Sequence, residues 1–113
     1  LYGGCKYGKK NKITKKYLFP DLDRPILWLM GEDDKEAPAK DCKVVKVIKE
    51  KNKLSDYYIY KNATHCWDCK ASNGFTKKVG NGNVVTYLYN EKATSDSEER
   101  VLAFFNKIIN TIK

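Results

Sequence analysis

The stretch YKNATHCWDCK, residues 60–70, contains the only histidine of the chain, His65, directly before a Cys-x-x-Cys pair. Imidazole and thiolate groups are common zinc ligands, so His65, Cys66 and Cys69 could bind a metal or act together in redox chemistry. Alternatively, His65 is a general base at the end of a β-strand and the cysteines are incidental to its role. The elements around this stretch are needed to choose between the two interpretations.

The residues that precede His65 predict a strand, a helix and a second strand. The short apolar run ILWLMG ends at Gly31 and is typical of a strand that is buried on both faces. Residues 40–52 have valine and isoleucine mostly on one face and lysine mostly on the other, which predicts an amphipathic helix. The aromatic and β-branched segment DYYIYKN predicts the next strand. This order indicates a βαβ unit, a parallel sheet and an α/β fold.

Two more elements are predicted after His65. The segment FTKKVGNGNVVTYLYN has Asn81-Gly82 between two alternating stretches, which predicts a β-hairpin. Ser95 followed by Glu98 predicts a capping box at the start of a final helix. We expect this helix to cover a face of the sheet, because apolar residues recur along it at helical spacing, namely Val101, Leu102, Phe105, Ile108, Ile109 and Ile112.

The charge of the chain suggests nucleic acid or an acidic membrane as a partner at first sight. The formal net charge is +8, but only Arg24 and Arg100 are arginines and the remaining cations are lysines. Recognition of bases and phosphates tends to use the bidentate arginine fork, so we expect a solvated lysine-rich surface and no nucleic-acid partner. No apolar run approaches the ~18 residues of a membrane span, so we expect no membrane partner either.

Polar clusters follow both strands of the predicted βαβ unit. GEDD comes after the first strand and NATHCWD after the second. Ligands of open parallel sheets bind outside the carboxyl ends of the strands, and these ends meet at one edge. An acid and a histidine could therefore meet there, with the carboxylate orienting the imidazole and the histidine acting as general base.

Three segments, in this order and spacing, resemble the C-terminal part of dienelactone hydrolase-like α/β-hydrolases: RPILWLMGEDDKEAPAKDC, YYIYKNATHCWD and YLYNEKATSDSEERVLAFF. The likeness covers about residues 25–106, and LYGGC resembles the preceding strand with its cysteine. It implies the C-terminal part of an α/β-hydrolase three-layer sandwich, with parallel strands, amphipathic helices and a β-hairpin insertion. We therefore expect residues 1–113 to form a single, N-terminally truncated domain of this type.

The resemblance also implies roles for individual residues. By position, Asp34 matches the triad acid and His65 the base, with Asp33 as the near competitor for the acid. The family order is nucleophile, acid, histidine, yet the chain contains no Gly-x-Ser-x-Gly or Gly-x-Cys-x-Gly elbow, and Cys5 does not fit one. We expect the nucleophile to lie outside this chain and the chain alone to be inactive on esters. The resemblance implies no metal and no organic cofactor.

The four cysteines leave several arrangements open. A tetrahedral zinc site would need all four of them, and a thioredoxin-type pair should open a helix, whereas Cys69 leads toward Gly74 and a hairpin. The resemblance places Cys5 and Cys42 where they could approach each other, so the open arrangements are a Cys5–Cys42 disulfide, with Cys66 and Cys69 either free or paired, and free buried thiols. The compartment stays open between cytoplasmic and periplasmic or secreted, and a disulfide would indicate an oxidising one.

The leading interpretation is therefore part of an ester or lactone hydrolase that acts on a small-molecule substrate in the intact protein. The alternatives are a non-catalytic interaction module on a hydrolase-like scaffold and, third, a basic nucleic-acid-binding domain. A truncated parallel sheet would also leave an unpaired edge, so we expect the fragment to self-associate through it.

Overall fold

The structure, a computed structural model, describes residues 24–42, 44–80 and 82–112. The elements in chain order are β1 (Leu27–Gly31), α1 (Val44–Lys51), β2 (Asp56–Tyr60), β3 (Thr76–Lys78), β4 (Val84–Thr86) and α2 (Glu91–Ile112), with short 3-10 turns at Ala39–Asp41 and Lys70–Ser72. Neither helix of this part of the chain has the length and apolar character that crossing a bilayer requires. The expectations for residues 1–23, including those for Cys5, lie outside the described residues.

The predicted βαβ unit is present, and the mixed helix and strand content is compatible with an α/β fold. β1 and β2 pair in parallel from Leu27 opposite Asp56 to Gly31 opposite Tyr60. Helix α1 is shorter than the predicted residues 40–52, but its apolar face packs on the sheet as expected. Val45 and Ile48 are buried there in one cluster with alternate residues of β1, Trp28 and Met30.

The opposite face of the sheet packs against the start of α2. Because successive side chains of a strand point to opposite faces, Leu29 lies in a second cluster with Tyr60, Trp67 and Ala93. The Tyr60 hydroxyl donates a hydrogen bond of 2.8 Å to Asp96 of α2. The chain segment just after His65 thus becomes part of the core, since Trp67 is only 3 % exposed.

The predicted hairpin is also present. β3 and β4 pair antiparallel, with Thr76 opposite Thr86 and Lys78 opposite Val84, and form a separate two-stranded sheet. The turn is closed by a 2.9 Å hydrogen bond from the Val79 N–H to the Asn83 carbonyl. Gly82 has a φ of +82°, which is the left-handed conformation that glycine adopts without strain.

The predicted start of the final helix is wrong. Helix α2 begins at Glu91, so Ser95 and Glu98 lie inside it rather than at its N-terminus. Asn90 is the capping residue, since its Oδ1 accepts a 3.0 Å hydrogen bond from the Ala93 N–H. The Asn90 N–H in turn donates to the Trp67 carbonyl at 2.8 Å. This tertiary anchor explains why the helix begins before the local capping-box pattern.

The first half of α2 covers the sheet as expected, but the second half does not. Ala93 and Ser97 are buried, whereas four large apolar residues of the later turns are exposed, namely Leu102, Phe105, Ile109 and Ile112. A 22-residue helix is about 33 Å long, while two paired strands span only about 10 Å across the sheet. The helix therefore extends beyond the sheet of the described residues. Self-association of the chain stays a prediction.

Replacing Asn90 by Ala should destabilise the chain, whereas Ser95→Ala should not. Loss of the cap leaves the Ala93 N–H without its side-chain acceptor and is expected to lower the free energy of unfolding by about 1 kcal/mol. Ser95 is exposed inside the helix, where alanine is the better helix former, so its effect should stay within about 0.5 kcal/mol of zero. Urea unfolding followed by circular dichroism measures both, and equal losses would contradict the assigned cap.

Candidate active site

The loops that follow β1 and β2 lie directly against each other. The Glu32 N–H donates to the Tyr60 carbonyl and the Asp33 N–H to the Ala63 carbonyl, both at 2.9 Å. A Cβ atom at Gly31 would overlap the Ala63 carbonyl oxygen and lie 3.0 Å from its carbon. Glycine is therefore required at the end of β1, because any side chain would separate the two loops.

This close approach brings Asp34 and His65 together. Asp34 Oδ2 lies 2.8 Å from His65 Nδ1. Asp34 Oδ1 accepts two backbone hydrogen bonds, from the N–H groups of Glu36 at 2.9 Å and Ala37 at 2.6 Å. Asp34 is 7 % exposed, whereas its neighbour Asp33 is exposed. Of the two candidate acids, the structure thus places Asp34 against the imidazole.

The surroundings favour the charged forms of both groups. Burial by itself raises the pKa of Asp34, but hydrogen bonds from His65 and from the Ala37 and Glu36 backbone outweigh it and hold that pKa below its ordinary value. The hydrogen bond with Asp34 raises the pKa of His65, and this effect exceeds the opposing effect of partial burial. In neutral His65 the proton belongs on Nδ1, facing the carboxylate, and Nε2 is the basic atom.

Nε2 of His65 lies near a second carboxylate, and His65 also lines a cleft. Glu36 Oε2 is 3.7 Å from Nε2. His65 lines a cleft of about 360 Å³ together with Lys35 and with residues of the hairpin strand β4, among them Val84 and Val85. His65 is therefore placed beside a space that a small molecule could enter.

The backbone on both sides of His65 is held by neighbouring segments. Thr64 Oγ1 accepts a 2.9 Å hydrogen bond from the Leu88 N–H, which joins the loop to the chain after β4. On the other side, Cys66 has a φ of +60°, an uncommon conformation for a residue other than glycine. A turn closed by the Cys69 N–H and the Cys66 carbonyl at 3.0 Å follows directly.

The sequence left Cys66 and Cys69 either free or paired. In the structure they form a disulfide that closes this turn. Asp68 lies with them in a group of suitable size for a metal ion, but the two sulfur atoms are bonded to each other, so this form offers no thiolate ligands. Cys42 is disulfide-bonded as well. Cys5, the candidate partner that the resemblance suggests, lies outside the described residues.

Three residues near His65 were not singled out in the sequence. Glu36 Oε1 accepts a 2.6 Å hydrogen bond from Lys77 Nζ, and Glu36 Oε2 accepts one of 2.8 Å from the Tyr87 hydroxyl. The Tyr87 ring also packs on the imidazole, with 5.4 Å between ring centroids. These partners are 41 and 51 residues from Glu36. The alternation of side chains along the hairpin could have indicated that Lys77 and Tyr87 share one face, but only once the pairing register of its strands is known.

The fold and this site define an α/β protein with an acid–histidine pair at the carboxyl edge of a parallel sheet. The model of the dienelactone hydrolase family matches residues 2–109, which is nearly the whole chain. The chain therefore belongs to the dienelactone hydrolase family, as the sequence resemblance indicated, and the family implies an α/β-hydrolase fold. No curated protein and no solved structure gives a match.

Replacing Gly31 by Ala should destabilise the chain by separating the two loops. The added Cβ meets backbone atoms that cannot move independently, so we expect a loss of about 1–3 kcal/mol in the free energy of unfolding. Gly80→Ala is the matched control, because a Cβ there has no neighbour within 4 Å and the backbone has no positive φ. Urea unfolding compares them, and a Gly31→Ala variant as stable as Gly80→Ala would contradict the close approach.

Stability should also decrease as the pH rises through the pKa of His65. This pKa is raised above the ordinary value of 6.5, so the folded chain holds the proton more tightly than the unfolded chain. The resulting stabilisation is fully present below pH 6.5 and is lost as the pH rises through the folded-state pKa. Urea unfolding at several values between about pH 5.5 and about pH 8 should show this decline.

His65→Gln is the control for the pH dependence, because His65 is the only histidine of the chain. The decline should disappear in this variant and become smaller in Asp34→Asn, which removes the charge that raises the pKa of His65. A wild-type decline that persists unchanged in His65→Gln would assign it to another group.

Proposed function

We propose that this chain supplies the acid and the base of an ester or lactone hydrolase, with Asp34 as the acid and His65 as the base. The observation that carries the proposal is the 2.8 Å contact between Asp34 Oδ2 and His65 Nδ1 at the carboxyl edge of the sheet. Membership of the dienelactone hydrolase family supports it from the sequence side. In this proposal residues 1–113 are one domain, the C-terminal part of a three-layer α/β-hydrolase sandwich.

The mechanism follows from the two ring nitrogens. Asp34 keeps the proton of neutral His65 on Nδ1, so Nε2 can accept the proton of a nucleophilic hydroxyl or thiol as that group attacks the carbonyl carbon. The imidazolium that forms is stabilised by the buried carboxylate. Nε2 then gives the proton to the departing alkoxide, and the same base activates the water that releases the acyl group.

The chain contains no sequence that matches a nucleophile elbow. The 113 residues contain no Gly-x-Ser-x-Gly or Gly-x-Cys-x-Gly sequence, and no residue of this chain is therefore assigned the nucleophilic role. The proposal places the nucleophile outside the chain and expects the chain alone to be inactive on esters, because the oxyanion hole is built partly from the residue after the nucleophile.

The test is hydrolysis of p-nitrophenyl acetate by the chain and by a protein in which the chain is extended upstream to include the nucleophile. In the extended protein, His65→Ala should lower kcat/KM by roughly 10³-fold or more, because the nucleophile loses its base. Asp34→Asn should lower kcat by on the order of 10⁴-fold, because the amide no longer favours the Nδ1–H tautomer.

Asp33→Asn is the matched control, since it removes a carboxylate from the same loop without changing the contact with His65. Its loss should be far smaller than that of Asp34→Asn, and the reverse order would assign the acid to Asp33. Activity of the 113-residue chain alone that disappears in His65→Ala would place the nucleophile inside it. An extended protein whose activity is indifferent to His65 would favour the non-catalytic interaction module.

A further inference from the structure

Glu36, Lys77 and Tyr87 form a group beside His65, and we call these three residues the imidazole collar. Glu36 approaches Nε2, Tyr87 packs on the ring, and Lys77 bonds to Glu36. Each oxygen of the Glu36 carboxylate has its own partner on the hairpin. Lys77 Nζ donates to Oε1 at 2.6 Å, and the Tyr87 hydroxyl donates to Oε2 at 2.8 Å. A side chain with two such bonds is restricted in its rotamers, so the carboxylate has a defined place next to the ring.

The distance from Glu36 to His65 has two consequences. At 3.7 Å from Nε2, Oε2 is too far for a hydrogen bond, so the carboxylate does not tie up a proton on Nε2. An ionised carboxylate only accepts hydrogen bonds, so it leaves the lone pair of neutral Nε2 to a donor. The same distance is short for two opposite charges, so the carboxylate attracts the imidazolium ion. Glu36 can therefore favour the protonated ring and still leave Nε2 accessible to a donor.

The hairpin that carries the other two collar residues is itself anchored. The backbone of Tyr87 pairs with the chain before β3, through bonds from the Gly74 N–H to the Tyr87 carbonyl at 2.8 Å and from the Tyr87 N–H to the Phe75 carbonyl at 2.9 Å. The ring of Tyr87 packs on both Phe75 and His65, with centroid distances of 5.5 and 5.4 Å. The position of Glu36 thus depends on the hairpin and not on its own loop alone.

We propose that Glu36 is a positioning residue for His65: the hairpin, through Lys77 and Tyr87, holds its carboxylate beside Nε2, where it favours the protonated imidazole without occupying the basic nitrogen. This inference rests on the proposed role of His65 as the base. It assigns the hairpin a function, since displacement of the hairpin would move a negative charge away from the base.

Other charged groups around His65 act in both directions. Asp34 attracts the imidazolium from the Nδ1 side, whereas the ammonium group of Lys77 opposes it. Asp33 and Lys35 line the same cleft as His65. The Lys77 cation is paired with Glu36, and this hydrogen bond raises the pKa of Lys77 to about 12, so it stays charged through the range in which His65 titrates. The contribution of Glu36 to the pKa of His65 must therefore be measured as the difference between the wild type and a Glu36 variant.

The experiment is an NMR titration of the imidazole in the 113-residue chain, whose single histidine gives one unambiguous signal. Glu36→Gln keeps the shape and the hydrogen-bond acceptor but removes the charge, so the pKa of His65 should shift downward. Glu32→Gln is the matched control, because this carboxylate lies in the same loop but accepts a hydrogen bond from the Asn62 N–H, 3.3 Å away. It should leave the titration of His65 nearly unchanged.

A double-mutant cycle tests the role of the hairpin. Tyr87→Phe keeps the ring on the imidazole and removes only the hydroxyl that holds Oε2, so it should lower the pKa of His65 by less than Glu36→Gln. In the Glu36→Gln background the same change should have no further effect. Backbone amide spectra of each variant establish that the fold is retained.

Equal shifts in Glu36→Gln and Glu32→Gln would overturn the inference, since they would reflect the general charge of the loop. An unchanged pKa in Glu36→Gln would overturn it as well. Additive effects of Tyr87→Phe and Glu36→Gln would remove the role of the hairpin. Failure of the proposed function is a separate outcome, because it would appear as hydrolysis that does not depend on His65, whatever the titrations show.

Discussion

The approach of the Ala63 carbonyl to Gly31 is the contact on which the candidate site depends. Parallel pairing puts the ends of β1 and β2 at the same edge, but it does not by itself bring two side chains within hydrogen-bond distance. The missing Cβ of Gly31 lets one loop lie on the other, and the Asp33 N–H then bonds to the Ala63 carbonyl. Asp34 and His65 follow shortly after this contact in the two loops, and their pairing is a consequence of it.

The same geometry explains why two adjacent aspartates have different environments. The backbone N–H groups of Glu36 and Ala37 turn toward Asp34 and bind one of its oxygens, while His65 faces the other. These contacts compensate the carboxylate for its burial. Asp33 has its backbone in the contact between the loops and its side chain exposed. A shift of one residue in this loop would exchange the two environments.

Much of the fold could be predicted from local sequence patterns, and the geometry of parallel sheets predicts that an acid and a histidine can meet at one edge. The choice of Asp34 over Asp33 rested on the resemblance to dienelactone hydrolases. The apolar run that ends at Gly31 indicates a buried strand, and the alternating stretches around Asn81-Gly82 indicate a hairpin turn. The start of α2 could not be predicted in this way, since Ser95 and Glu98 form a valid local cap pattern. A contact from the Trp67 carbonyl to Asn90 overrides it. The contacts of Glu36 could not be predicted from the sequence, because its partners come from a hairpin far along the chain.

The turn that follows His65 has a further consequence for the imidazole. The Thr64–Leu88 hydrogen bond limits the backbone before the histidine, and the Cys66–Cys69 disulfide limits the backbone after it. A histidine on an unrestrained loop would have to give up conformational entropy each time it lined up with a donor. Here much of that entropy is already lost when the chain folds. The cysteine pair is therefore a covalent restraint on the backbone directly after His65.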